Sequence, residues 1–150
     1  MAKRTFDILF SIIGLIFFSP CFLLISIIIK ADSKGPVFFL QERVGCNGVL
    51  FKIIKFRSMI TDQNSSSTIT TANDNRITTI GKIIRKLKID ELPELLNVLI
   101  GNMSLVGPRP DVPGYADLLE GKDRLILKLK PGITSLASLK YVNEEEILAS

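Results

Sequence analysis

The stretch ILFSIIGLIFFSPCFLLISIII, residues 8–29, decides how the rest of the chain is interpreted. It has no charged side chain, and about 20 apolar residues in a helix are enough to cross the hydrocarbon core of a bilayer. Ser19 and Pro20 lie near its middle, where the proline leaves the carbonyl of Ile16 without its helical donor. In lipid that carbonyl needs another partner, and the interruption favours a bend.

Both flanks of this apolar segment are basic, with Lys3 and Arg4 before it and Lys30 and Lys34 after it. Lysine and arginine near membrane ends favour the cytoplasmic side, so two basic flanks are typical of a helix that enters the membrane, bends and returns. A straight spanning anchor and a cleaved signal peptide are the alternatives. The apolar run is long for a signal peptide and lacks a small-x-small cleavage site.

The composition limits the chemistry that is available to the chain. It has 150 residues, a net charge of +4 and no histidine. The length suits one domain, and the lack of histidine excludes imidazole as a general base or zinc ligand. Acid–base or metal chemistry must therefore use carboxylates, lysines, tyrosines or water. The two cysteines show no metal-ligand or disulfide pattern, which is typical of a reducing compartment.

Two β-rich runs follow the apolar segment and flank Asn47-Gly48, a pattern that predicts a β-hairpin. Lys52, Lys55 and Arg57 make the second run basic, which indicates either an anion-binding surface or a solvated strand face. The polar stretch over residues 61–76 is expected to be a linker or a lid.

An amphipathic helix is predicted next, because apolar residues recur at helical spacing and basic residues cover the other face. The apolar positions are Ile80, Ile83, Ile84 and Leu87, and the basic positions are Lys82, Arg85, Lys86 and Lys88. Beside a membrane segment, such a helix suggests binding to anionic lipid. An ordinary surface helix is the alternative.

Asp90 and Glu91 precede Pro93 and a second periodic set of leucines, so Asp90 is expected at or near a helix N-cap. Capping alone would explain an aspartate at this position. The helix dipole and the nearby cations are expected to keep Asp90 ionised, and an ionised carboxylate can act as a nucleophile. Helix N-termini bind phosphate groups, and Glu91 could hold Mg²⁺ together with substrate oxygens.

In the stretch SLVGPRPD, Pro108 and Pro110 enclose Arg109. Both prolines fix φ, and Arg109, as the residue before a proline, is restricted to extended geometry. A guanidinium held in this way can pair with a phosphate through two parallel hydrogen bonds. The alternative is a rigid turn with an exposed arginine.

Taken together, these residues resemble the bacterial sugar transferases, the monotopic phosphoglycosyl transferases. The most specific stretch is DELPELLNVLIGNMSLVGPRP, residues 90–110, and the resemblance covers nearly the whole chain. The other matching stretches are the apolar segment with Ser19-Pro20, GPVFFLQERVG, FKIIKFRSM, RITTIGKIIRKLKI and LKPGITSLA.

The resemblance implies transfer of a phosphosugar from a UDP-sugar to polyprenyl phosphate, with release of UMP, as the first membrane step of a surface glycan pathway. It implies that Asp90 is the nucleophile, that a covalent aspartyl-phosphosugar intermediate forms, and that Glu91 helps to bind Mg²⁺. The residues expected to bind substrate are Pro108, Arg109, Pro110, Lys55, Arg57 and Arg85.

The expected fold is α+β and has two parts. A re-entrant membrane helix over residues 1–33, broken at Ser19-Pro20, precedes a compact cytoplasmic catalytic domain over residues 34–150. That domain combines amphipathic interfacial helices with a small β-hairpin, at the cytoplasmic face of the bacterial inner membrane. Beyond lipid and the two substrates, a second copy or downstream glycosyltransferases are the expected partners. Nucleic acid is not expected, because no reader motif occurs.

Two features depart from the family pattern. The family commonly continues PGITGLAQVNGRN, whereas this chain reads PGITSLASLKYVN, so the Gly-Arg pair is missing. Lys140 is the candidate substitute for the missing arginine, although its ammonium group is a point charge and lacks the paired donors of a guanidinium. Residues 143–150 read as a helix start without a stop signal, so we expect a C-terminal truncation. The alternative function is therefore a non-catalytic membrane-surface scaffold that retains the fold.

Overall fold

The structure, a computed structural model, describes residues 2–60 and 76–135 and has the mixed α and β composition that the sequence predicts. Its α-helices are α1 (Ala2–Asp32), α2 (Thr79–Lys86) and α3 (Glu94–Ile100). Its strands are β1 (Phe38–Val44), β2 (Leu50–Phe56), β3 (Ser104–Val106) and β4 (Gly132–Thr134), and short 3₁₀ turns cover Cys46–Gly48, Ile89–Glu91, Ala116–Leu118 and Asp123–Lys128. Residues 61–75 of the polar loop, Lys140 and the helix start at 143–150 lie outside the described residues.

The helix α1 continues through Ser19 and Pro20 as one helix. The hydroxyl of Ser19 donates to the carbonyl of Ile16 at 2.8 Å, and this is the carbonyl that Pro20 deprives of a backbone donor. The serine therefore supplies the partner that a lipid environment could not. By its length and composition, α1 is also long and apolar enough to cross a membrane.

The C-terminal half of α1 is part of the protein core. Ile25 and Ile29 pack in one buried cluster with Phe56 of β2 and Ile84 of α2. Burying an apolar side chain of this size stabilises the fold by about 1.5–3 kcal/mol. The opposite face of α1 is apolar but exposed, and Phe17 is 73% exposed. One side of the helix therefore completes the core while the other offers apolar surface to its surroundings.

The guanidinium of Arg57 closes the C-terminal end of α1. Its Nη2 donates to the carbonyl oxygens of Ile29 at 3.3 Å and Ser33 at 2.6 Å, and its Nη1 donates to that of Lys34 at 3.1 Å. A cation at this end of a helix satisfies the last carbonyls and complements the helix dipole. Because Arg57 is itself buried, this contact ties α1 firmly to the end of β2.

The predicted hairpin is confirmed, since β1 and β2 pair antiparallel with Phe38 opposite Phe56. Asn47 (φ 58°) and Gly48 (φ 79°) take left-handed conformations in its turn. Asparagine and glycine accept this conformation at low cost, which is why the local sequence predicts the turn correctly.

The side chain of Asn97 fastens α3 to the edge of β2 that faces away from β1. It accepts a hydrogen bond from the N–H of Ile54 at 2.9 Å and donates one to the carbonyl of Lys52 at 2.7 Å. Asn97 is only 1% exposed, so both bonds form away from water. The apolar side chains of the adjoining buried cluster are Phe51, Ile53, Val98 and Met103.

A second, parallel sheet pairs β3 with β4, with Ser104 opposite Gly132 and Val106 opposite Thr134. The two strands approach closely, since a Cβ on Gly132 would lie 2.0 Å from the backbone nitrogen of Gly107. Strands this short carry no periodic pattern, so the sequence gives no sign of them.

The predicted amphipathic helix is confirmed as α2, which begins at Thr79 and has Thr78 as its N-cap. The hydroxyl of Thr78 accepts a hydrogen bond from the N–H of Gly81 at 2.9 Å. Its apolar residues divide between two environments, because Ile84 is buried whereas Ile83 and Leu87 are exposed. The exposed pair adds apolar surface to a basic stretch of the protein.

Gly81 allows α2 to approach the backbone at Ser58, and we expect its replacement to destabilise the protein. A Cβ on Gly81 would lie 1.9 Å from the carbonyl oxygen of Ser58. Gly81→Ala should therefore lower the free energy of unfolding by about 1–3 kcal/mol, measured by denaturation of the detergent-solubilised protein. Lys82→Ala, at the exposed next position, should change it by less than about 0.5 kcal/mol. Equal stability of the two variants would contradict the close approach.

Candidate active site

Asp90 lies in the 3₁₀ turn Ile89–Glu91, between α2 and α3. The turn follows Lys88, which has a left-handed backbone conformation (φ 55°). The helix α3 begins only at Glu94, and Pro93 occupies its N-cap position. Asp90 therefore lies near the helix N-cap but not at it, because the chain forms a separate turn before the helix starts.

The ammonium group of Lys55, on β2, lies between two carboxyl groups. Its Nζ donates to Oε1 of Glu91 at 2.7 Å and forms an ion pair with Oε1 of Glu94 at 3.3 Å. Burial lowers the pKa of Lys55, but the attraction of Glu91 and Glu94 outweighs burial, so the pKa is raised above 10.5. The structure thus brings the predicted residues Lys55 and Glu91 together, and Lys55 is protonated at neutral pH.

The carboxyl groups of this cluster have distinct pKa values. Burial raises the pKa of Asp90 to about 6 against the attraction of Lys55, and the charge of Glu91 adds to the rise. Burial also raises the pKa of Glu94 to about 7, again against Lys55. Burial would raise the pKa of Glu91 as well, but Lys55 more than compensates, so this pKa is lowered.

The nearby cations favour the ionised form of Asp90, as predicted, but they are not the largest influence on its pKa. Arg85 and Lys88 do lower the pKa of Asp90, but burial has the larger effect. With a pKa of about 6, Asp90 is still mostly ionised at neutral pH. It is also a stronger base than an ordinary aspartate, which favours nucleophilic chemistry.

Oδ1 of Asp90 is buried without a hydrogen-bond partner among the described residues, whereas the buried Oε1 of Glu94 has Nζ of Lys55 at 3.3 Å as its ion-pair partner. Leaving a buried polar atom unpaired costs about 1–3 kcal/mol, so such atoms mark places where a proton, cation or ligand would be stabilised. Within residues 2–60 and 76–135, no group of three or more acidic, histidine or cysteine side chains forms a metal site. A magnesium ion here would therefore need substrate oxygens as further ligands, as is common for Mg²⁺.

Arg109 follows β3, with Pro108 and Pro110 on either side, and its side chain is exposed. Its charge contributes to lowering the pKa of Glu91, after the larger effects of burial and Lys55. The guanidinium is therefore within electrostatic range of the acidic pair. The structure brings together the two motifs that the sequence separates by a whole helix.

Arg43, on β1, is a residue of the site that the sequence analysis missed. Its Nη1 donates to the carbonyl of Pro110 at 3.3 Å, and its Nη2 donates to Oε1 of Gln41 at 2.7 Å. Burial lowers the pKa of Arg43, and the like charge of Arg109 lowers it further. The two arginines therefore lie close enough to repel each other, which indicates a position suited to an anion.

Glu94 was also missed, although the sequence contained a signal for it. It follows Glu91 by three positions, a spacing that places side chains on one side of a helical turn. Arg43 gave no such signal, because its partner Pro110 lies far along the chain. From the sequence alone, a basic strand residue that binds a distant partner cannot be distinguished from one that faces water.

The other basic residues predicted to bind substrate divide between two places. Arg85 is near the acidic cluster, since its charge lowers the pKa of Asp90. Arg57 is not, because its guanidinium binds the carbonyl groups at the end of α1. The structure thus groups Lys55, Arg85 and Arg109 with the acidic cluster and gives Arg57 a structural contact.

The sequence matches the family described as "Bacterial sugar transferase" over residues 1–149. The chain belongs to this family. The predicted family and the interpretation of the chain as an enzyme of the transferase class are therefore confirmed.

Curated relatives agree with this membership. The transferase is 38% identical over 160 residues to the exopolysaccharide production protein ExoY of Rhizobium meliloti (strain 1021), covering 96% of this chain and 71% of that protein. It is 46% identical over 142 residues to the UDP-glucose:undecaprenyl-phosphate glucose-1-phosphate transferase of Klebsiella pneumoniae, covering 91% of this chain and 30% of that protein.

A third relative is named for a different sugar. The transferase is 43% identical over 145 residues to the UDP-N-acetylgalactosamine-undecaprenyl-phosphate N-acetylgalactosaminephosphotransferase of Aeromonas hydrophila, covering 93% of this chain and 34% of that protein. The chain thus spans only about a third of the length of these last two relatives.

We expect the raised pKa of Glu94 to make stability depend on pH. Between the usual value of 4.5 and about 7 the folded state binds more protons at Glu94 than the unfolded state, so stability falls as pH rises through this window. Glu94→Gln removes this penalty and should raise the free energy of unfolding at about pH 8 by about 1–3 kcal/mol. Denaturant titrations of the two proteins at several pH values measure this difference.

The gain from Glu94→Gln should vanish at about pH 4, where the carboxyl group is protonated in both states. The matched control is Glu42→Gln, which alters an exposed carboxylate on β1 and should leave the pH dependence unchanged. A destabilised Glu94→Gln protein at about pH 8 would mean that the ion pair with Lys55 outweighs burial.

Proposed function

We propose that this chain transfers a phosphosugar from a UDP-sugar to polyprenyl phosphate and releases UMP. The names of the Klebsiella pneumoniae and Aeromonas hydrophila relatives support this reaction, since they name UDP-sugars and undecaprenyl phosphate. The observation that carries the proposal is Asp90, a buried carboxylate with an unpaired oxygen in a cluster held by Lys55.

In the first step, a carboxylate oxygen of Asp90 attacks the phosphorus that bears the sugar. The bond from this phosphorus to the bridging oxygen breaks, and UMP leaves with the electron pair. In the second step, an oxygen of polyprenyl phosphate attacks the same phosphorus, and Asp90 leaves as a carboxylate. One diphosphate linkage replaces another, so no outside energy source is required.

The surrounding charges match this chemistry. Lys55 neutralises part of the negative charge of Glu91 and Glu94, which would otherwise repel the donor phosphates. Arg109 and Arg43 provide positive charge for the donor diphosphate, and the guanidinium fork suits paired phosphate oxygens. Positioning and charge stabilisation are the main requirements of phosphoryl transfer.

Mg²⁺ is part of this proposal as the cofactor. Lys55 engages Oε1 of Glu91, so the second carboxylate oxygen of Glu91 and the unpaired oxygen of Asp90 are the candidate ligands, together with donor phosphate oxygens. When bound, the ion supplies further neutralisation of the charge that develops on the diphosphate.

We also propose that α1 is a re-entrant helix at the cytoplasmic face of the inner membrane. The support is that one folded domain holds both ends of α1, through Arg4 at the carbonyls of Val98 and Leu99 and through Arg57 at the carbonyl of Ile29. A straight crossing would carry these ends to opposite sides of a bilayer core about 30 Å thick. The proline at position 20 and the exposed apolar face of α1 suit a bend within lipid.

The reaction is tested by UMP release from a panel of UDP-sugars with Mg²⁺ and polyprenyl phosphate in lipid discs. We expect release with at least one donor, and at least about a hundredfold loss in Asp90→Asn, because the amide cannot act as the nucleophile. Without acceptor, intact-mass measurement should detect the chain plus one phosphosugar. The matched control Asp123→Asn, on an exposed side chain, should keep full activity. Wild-type turnover by Asp90→Asn would exclude this mechanism.

The topology is tested by cysteine labelling in a background with Cys21→Ser and Cys46→Ser. Ala2→Cys and Lys34→Cys place one thiol near each end of α1, at exposed positions. Both should react with a membrane-impermeant reagent only after the cytoplasmic side is opened, because basic flanks stay in the cytoplasm. Labelling of one position from each side would favour a straight span.

A further inference from the structure

The first three turns of α1 carry polar side chains in an otherwise apolar helix, and Asp7 and Ser11 among them face the domain. Asp7 and Ser11 are buried, and they lie four positions apart on one side of α1. Gly14 extends this side by one further turn, and a Cβ there would lie 3.1 Å from Cδ1 of Leu95 on α3. Small and polar residues thus form the face of α1 that contacts α3 and β3.

Arg4 binds the C-terminal end of α3. Its Nη1 donates to the carbonyl of Val98 and its Nη2 donates to that of Leu99 at 2.9 Å. These carbonyls belong to the last turn of α3, where a cation both satisfies acceptors and complements the helix dipole. The opposite end of α3 begins at Glu94, next to the acidic cluster.

Asp7 binds β3. Its Oδ2 accepts a hydrogen bond from the hydroxyl of Ser104 at 2.9 Å, and its Oδ1 accepts one from the N–H of Leu105 at 3.3 Å. Asp7 is 4% exposed and Ser104 is 1% exposed. A carboxylate is retained at this depth only with partners for its oxygens, so β3 is fixed relative to α1.

The chain between β3 and Arg109 is too constrained to absorb a movement. The N–H of Gly107 donates to the carbonyl of Thr134 at 3.0 Å, and the N–H of Gly132 donates to the carbonyl of Pro108 at 2.8 Å. The prolines on either side of Arg109 fix their own φ angles. Because these bonds join the chain before Arg109 to β4, we expect a shift of Ser104 to move β3, β4 and Arg109 together rather than to be lost in a flexible loop.

We propose that Asp7 is a positioning residue for Arg109, through which the membrane helix sets the geometry of the phosphate site. The inference rests on the proposed function, in which Arg109 binds the donor diphosphate. Arg4 holds α3, which begins at Glu94, and Asp7 holds β3, which precedes Arg109. Both parts of the site are thus fixed to the same two turns of α1. How α1 is seated in lipid then affects how strongly the soluble donor binds.

The test measures UDP binding by calorimetry to the full chain in lipid discs, with KM for the UDP-sugar as a second readout. Asp7→Ala should weaken UDP binding and raise KM by about tenfold, the loss expected for roughly one charge-assisted hydrogen bond. The binding stoichiometry should stay unchanged. A merely structural role would lower the fraction of competent protein and leave the dissociation constant of that fraction as it was.

Three further variants make the test specific. Asp7→Asn keeps an acceptor for the N–H of Leu105 and should recover part of the affinity. Asp32→Ala alters an exposed carboxylate at the far end of the same helix and should bind UDP like the wild type. Ser104→Ala removes one contact of Asp7, should weaken binding in the same direction, and serves if Asp7→Ala does not fold.

The link to Arg109 is tested by a double-mutant cycle. Arg109→Lys keeps the charge and loses the fork, so it should weaken UDP binding by about tenfold by itself. If Asp7 acts through Arg109, adding Asp7→Ala should weaken binding by no more than about a further twofold. The inference would be overturned if the losses of affinity in the two single variants multiply in the double variant. It would also be overturned if Asp7→Ala binds UDP like the wild type, or if the wild type binds no UDP. A wild type that binds UDP without releasing UMP from UDP-sugars would count against the proposed function alone.

Discussion

The amide side chain of Asn97 is the contact on which the geometry of the site depends. By bonding both a carbonyl and an N–H of β2, it fixes the rotation and height of α3 beside that strand. Each such buried hydrogen bond contributes only about 0.5–1.5 kcal/mol net, but leaving either partner unpaired would cost more. With α3 fixed, Lys55 on β2 meets Glu91 and Glu94, and the 3₁₀ turn with Asp90 is held against them.

The cluster is unusual because it concentrates negative charge where an anionic substrate is proposed to bind. One lysine faces Asp90, Glu91 and Glu94, so the group tolerates burial partly through the raised pKa values of Asp90 and Glu94. Arg43 and Arg109 add positive charge within electrostatic range of Glu91. A donor diphosphate bound beside Arg43 and Arg109 would relieve the repulsion between them, which is a reason to expect ordered binding there.

The parts of this architecture that the sequence predicts are those determined by short stretches. The hairpin follows from Asn47-Gly48, whose residue types accept left-handed backbone angles. The helix α2 follows from its periodicity, and Asp90-Glu91 stands out because the chain lacks histidine. Each of these signals lies within about one or two helical turns of sequence, where local preference decides the structure.

The parts that were missed or misplaced depend on distant contacts or on single backbone angles. The separate turn that holds Asp90 is not predicted, because nothing in the sequence marks the left-handed backbone of Lys88 that precedes it. The role of Asp7 has no local signal, because its partner Ser104 lies 97 positions away. The sequence does not distinguish a buried aspartate from an exposed one, because burial depends on the packing of the folded protein.

The packing of one face of α1 into the core has a practical consequence for handling the protein. Deleting the apolar segment would leave Phe56 and Ile84 open to water and Arg57 buried without its carbonyl acceptors. Such a fragment would lose several kcal/mol of apolar burial and retain an uncompensated charge. A water-soluble version cannot be made by trimming the N-terminus, so purification must carry the hydrophobic segment along in detergent or a lipid disc.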